Sequence, residues 1–107
     1  MKVKVVQKHP GEGQFPAFPE GTKVTMIGAE DTHFLHWYPC EIKGHQTYVP
    51  DVFVCGGVLA RDYNPTELVQ EAGDILEVLE IVNAWLLARN NKGIIGWIPA
   101  EAVVSMR

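Results

Sequence analysis

Apolar and polar residues alternate along Lys23-Val24-Thr25-Met26-Ile27 and, in part, from Asp74 to Leu79. A period of two belongs to a strand with one buried face. Lys43-Gly44 and Asn90-Asn91-Lys92-Gly93 sit between strand-like runs, and Gly and Asn tolerate the positive φ that tight turns need. No stretch carries a long 3.6-residue apolar period. Pro65 to Ala72 comes nearest, and Gly73-Asp74 would end a helix there. The pattern predicts an all-β chain.

An internal repeat is visible in three blocks that recur in one order. Gly21 to Met26 lines up with Gly73 to Val78, Trp37 to Cys40 with Trp85 to Ala88, and Tyr48 to Val54 with Trp97 to Val103. This predicts two units, 1–55 and 57–107, with Val3 to Val6 and Val58 to Ala60 as their opening strands and Gly56-Gly57 as the whole joint. A joint that short should leave the two units packed together.

The second half carries Leu59-Ala60-Arg61-Asp62-Tyr63, then Glu67-Leu68, Gly73-Asp74, Trp85 and Gly96-Trp97-Ile98-Pro99 to Val103. In order and spacing these resemble the markers of a Src-homology-3 (SH3) domain. The resemblance implies two tandem SH3-like small β-barrels, the first more divergent. It also implies that Lys8 to Glu20, rich in Pro and Gly, is the long loop flanking the first unit's ligand groove. The implied core is Leu59, Leu68, Leu76, Val78, Ala88, Ile98 and Val103 in the second unit, and Val24, Met26, Cys40, Val49 and Val54 in the first. Gln70 stands where the family has an apolar core residue. Either its amide finds buried partners, or the strand shifts and Val69 takes the inside place.

The family groove is a row of aromatic ridges that grips a proline-bearing, extended peptide, with an acidic pocket for a basic residue. The matching positions are Tyr63, Glu67, Glu71, Trp85 and Pro99 in the second unit, and Trp37, Pro50 and Phe53 in the first. Arg61 and Ala102 replace two groove tyrosines. The resemblance therefore implies a non-enzymatic module that binds a protein or peptide, a proline-rich one by family habit, through an aromatic patch of Trp37, Tyr48, Phe53, Tyr63, Trp85 and Trp97. Leu86, Leu87, Ile94 and Ile95 crowd neighbouring strands and support a second reading, a structural subunit that forms a homo-oligomer through that face. A third is a Tudor- or KOW-like barrel reading a modified side chain or RNA.

Composition narrows these readings. A formal charge of −4 disfavours a general nucleic-acid binder, which needs a basic surface to displace counterions. No apolar run reaches the roughly 20 residues that span a bilayer, and Met1 to Gln7 is too short for a signal peptide. A cytoplasmic protein is expected, with Cys40 and Cys55 free and buried. His9, His33, His36 and His45 lack metal-site spacing, and no nucleophile–base or phosphate-cradling pattern appears. No cofactor, metal or catalytic residue is expected.

Overall fold

The computed structural model describes residues 1–11 and 13–106; Glu12, within the loop expected at 8–20, lies outside the described residues. The elements are β1 (Lys2–Val5), β2 (Thr25–Met26), β3 (Trp37–Ile42), β4 (His45–Pro50), a 3-10 turn (Asp51–Phe53), β5 (Val54–Cys55), β6 (Val58–Leu59), β7 (Ile75–Val82), β8 (Trp85–Arg89), β9 (Ile95–Pro99), a second 3-10 turn (Ala100–Ala102) and β10 (Val103–Ser105). The chain is all-β, as the alternation predicts, and its strands pair antiparallel.

Strand pairing divides the chain at places other than those expected. One compact unit is discontinuous, Met1–Gln14 with Thr66–Arg107; the other is internal, Phe15–Pro65. The expected division, 1–55 and 57–107, cuts through both. Its cause is local. Gly56 and Gly57 have φ of 61° and 79° and form a two-residue hairpin turn that pairs Cys55 with Val58 and Val54 with Leu59. The chain turns straight back, so Val58-Leu59 completes the internal unit instead of opening the next.

In the discontinuous unit the sheet order is β10-β1-β7-β8-β9. β1 is an inner strand, with Val3 opposite Ser105 on one side and Leu76 on the other. Its burial alternates, so Val3 and Val5 face a core of Leu68, Leu76, Leu86, Ala88, Ile98 and Ala102, with Val78 and Val103 partly buried against it. A bulge between Val78 and Glu80 bends β7, which runs on to Val82 and turns through Asn83 and Ala84, both at positive φ. Glu80 to Val82 thus belong to the strand, and only Asn83 and Ala84 connect it to β8.

In the internal unit, β2, β3 and β4 form one sheet and β5 with β6 a ribbon. Lys43 and Gly44, both at positive φ, make the expected turn between Ile42 and His45. The entry and exit segments run antiparallel, since Phe18 and Tyr63 exchange backbone hydrogen bonds of 2.8 and 2.9 Å, and Leu59 N–H donates to Thr22 O at 2.8 Å. Val24, Cys40, Ile42, Val49 and Leu59 are buried. Of the expected core residues, Met26 is exposed and Val54 half-buried, because β2 and β5 are two-residue edge strands.

Both cysteines are free, but only Cys40 is buried; Cys55 is exposed, correcting the expectation for that residue. Burial pushes the Cys40 thiol up to about 11, from 9.0. At pH 8, Ellman's reagent should therefore modify Cys55 in the folded protein and Cys40 only after unfolding. The sign for stability follows. The unfolded chain releases the Cys40 proton first, so its contribution is complete below pH 9 and is lost as pH rises towards 11.

Candidate functional site

The sequence-selected residues separate into two sets, and the split follows the strand pairing. Glu67, Glu71, Trp85 and Pro99 lie in the discontinuous unit; Tyr63 joins Trp37, Pro50 and Phe53 in the internal unit.

The internal set is closed. Trp37 sits opposite Pro50 in the β3–β4 ladder and is 5% exposed. Phe53 and Tyr63 meet edge to face at 5.4 Å, and Arg61 covers the Phe53 ring with its guanidinium carbon 4.3 Å from the centroid. The Tyr63 hydroxyl donates to Tyr48 O at 2.5 Å. These rings are core, with Phe53 3% and Tyr63 4% exposed. Trp97 is buried too. The six-ring surface patch is therefore corrected: only Trp85, half-buried, and Tyr48 keep exposed ring surface, and they lie in different units.

The discontinuous set stays partly open. Trp85 begins β8 opposite Pro99 in β9, with Pro99 buried and Ala102 behind it in the core. His9, which the sequence reading left out of the site, lies edge-on to Trp85 at 5.8 Å. Its backbone exchanges two 3.0 Å hydrogen bonds with Gln70, 2.7 Å separates its Nδ1 from Leu68 O, and 3.1 Å separates its Nε2 from Glu67 Oε1. Both ring nitrogens thus face acceptors, and the ring state that donates to both is the imidazolium. The pair is largely desolvated, with side chains 13% and 16% exposed. Next to it, Lys8 Nζ lies 3.6 Å from Glu71 Oε1, with both side chains about two-thirds in solvent.

Gln70 resolves in favour of its first alternative. It is 6% exposed while Val69 is 64% exposed, so the strand does not shift. The Gln70 amide donates to Asp74 Oδ2 at 2.7 Å and accepts from Asn90 Nδ2 at 3.0 Å. Asp74 also accepts from Glu71 N–H at 2.9 Å, which fixes the segment carrying both glutamates.

Elsewhere, Glu30 and Asp51 flank the exposed His36 ring at 3.6 and 3.3 Å. His45 packs against Phe15 and Phe18. Among the described residues no group of three His, Cys, Asp or Glu is placed to hold a metal ion, and no helix is long and apolar enough to cross a membrane. Leu86 is 4% exposed because it and Ala88 occupy the core side of β8; this removes it from the apolar surface expected with Leu87, Ile94 and Ile95.

The discontinuous unit is thus a small antiparallel β-domain in which a half-buried Trp85 lies beside the His9–Glu67 pair. An SH3 domain family model matches residues 60–100, which include Glu67, Glu71, Trp85 and Pro99. The match is to one copy, and residues 1–55 lie outside it. No curated protein and no solved structure gives a match.

Proposed function

We propose that this chain is a non-enzymatic protein-binding module whose ligand face lies on the discontinuous unit, around Trp85, His9, Pro99 and Glu67. The observation that carries the reading is the register of β8 and β9. It sets a half-buried tryptophan opposite a proline, with a carboxylate-bearing loop beside them. Such a face suits an extended, proline-bearing segment, which has little conformational entropy to lose. The SH3 match over 60–100 supports the binding class. A cytoplasmic setting belongs to the same reading, because the two cysteines are unbridged.

In this reading both units are SH3-like barrels that have exchanged opening strands within one chain. β1 takes the place between β7 and β10 that the family match would give to the segment after Gly57, and that segment takes the reciprocal place beside β5. The exchange points are 14/15 and 65/66, each closed by backbone pairing, His9 with Gln70 and Phe18 with Tyr63.

Titration calorimetry with proline-rich peptides tests the function. Binding to the wild type is expected, with Trp85→Ala weakening it at least tenfold. Tyr48→Ala, an exposed ring on the internal unit, should leave it unchanged. No heat of binding from any such peptide overturns the reading. A second reading, self-association, retains Ile94, just before β9, and Ile95, at its start, each 47% exposed. Light scattering separates the two, and a strict monomer removes it.

A further inference from the structure

Both glutamates of the candidate site already face a basic side chain supplied by the chain, and the two pairs differ in strength. Lys8–Glu71 is solvent-exposed at 3.6 Å, so water and salt screen it and either side chain can swing away. His9–Glu67 is different. The imidazole is pinned at three places: by two backbone bonds to Gln70, by the Nδ1 contact to Leu68 O, and by its edge contact with Trp85. Its Nε2 then meets Glu67 in a nearly dry setting. A ligand guanidinium or ammonium that sought Glu67 would have to displace the His9 ring from a contact that is already made and largely shielded from water. The remaining carboxylate, Glu71, is too exposed to reward a basic anchor strongly.

From this we infer that His9 is a specificity-determining residue: its ring occupies Glu67 from within the chain, so the site takes uncharged proline-bearing segments and gives no advantage to ones flanked by Arg or Lys. The inference rests on the binding reading above and narrows its ligand class. Surface glutamates remain near the site, yet the basic-anchor position is already filled from within.

The test compares two synthetic peptides, one uncharged and proline-rich, the other identical but for a flanking Arg. It measures both against the full chain, His9→Gln and Glu67→Gln. The Arg peptide should bind the wild type within about twofold of the uncharged one. His9→Gln keeps a hydrogen-bonding side chain but frees the carboxylate, and should raise the ratio of Arg-peptide to uncharged-peptide affinity at least tenfold. The double variant with Glu67→Gln should return the ratio to near one, which a general loosening of the loop would not do. A wild type that already prefers the Arg peptide tenfold, or a His9→Gln ratio that stays near one while the uncharged peptide binds, overturns the inference alone. If neither peptide binds the wild type or His9→Gln, the binding reading fails and takes this inference with it.

Discussion

Replacing Val5 by aspartate is expected to unfold the strands of residues 66–106 while leaving 15–65 folded. Val5 is fully buried among Leu68, Leu76 and Ile98, and its backbone closes bonds to Asp74 O and from Gly73 N–H. The substitution removes about 1.5–3 kcal/mol of apolar burial. It also forces a carboxyl group without a partner into that core, at a further cost of about 3 kcal/mol or more. Together these match the lower end of the stability of a whole domain, about 5–15 kcal/mol. Leu59→Asp is the reciprocal case: Leu59 is 1% exposed and pairs with Val54, so residues 15–65 should be the ones lost. Residue-resolved amide exchange reads both outcomes. If Val5→Asp exposes residues 15–55 and Leu59→Asp exposes the strands after 66, the strand exchange is refuted.

Gly96→Ala should be the next most damaging change, costing about 2–4 kcal/mol and lowering the melting temperature by about 10 °C. A β-carbon at Gly96 would stand 2.9 Å from Thr66 O and 3.1 Å from Leu68 N and Cγ. Two of those three atoms are backbone, held in place by Leu68 N–H to Trp97 O and Trp97 N–H to Thr66 O, each 2.9 Å. Nothing flexible is there to give way. The displaced segment carries Glu67, so ligand affinity should fall along with stability. Gly93→Ala is the contrast. Gly93 has φ of 81° with no neighbour within 4 Å, so alanine there meets only backbone strain of about 1–2 kcal/mol and should spare the site. Calorimetric melting of both variants decides; equal losses would mean that the crowding at Gly96 is relieved by a shift of the chain.

What the sequence made legible was mostly local. Alternation, turn residues and burial preference were enough for the all-β class, the Lys43-Gly44 turn and the burial of Leu68, Leu76, Ala88, Ile98, Val24, Cys40 and Val49. Partner choice was hidden. Val3 with Val5 and Val58 with Leu59 are similar short apolar segments, and a period-two pattern chooses a face without choosing the neighbouring strand. The deciding signal was present at Gly56-Gly57, a hairpin dipeptide between two strand-like runs that reads equally as a linker. His9 was missed for a related reason. The bridge it makes with Gln70 is the counterpart of the one Tyr63 makes with Phe18, an equivalence that shows only once the strands are paired. Its contact to Leu68 O spans 59 positions in the chain, beyond any local pattern.

The inner place of β1, between β10 and β7, also sets an order of assembly during synthesis. Val3 pairs with Leu76 and Ser105, so the second ladder must wait until the ribosome has added about a hundred further residues. At about 5–20 residues per second that is roughly 5–20 s, against microseconds for closing a hairpin. Residues 15–65 are all made well before then, and their ladders are available first. The residues of β1 are therefore made long before their last partner strand, and until then Val3 and Val5 leave one edge of a half-apolar strand open that the growing chain must keep from other edges.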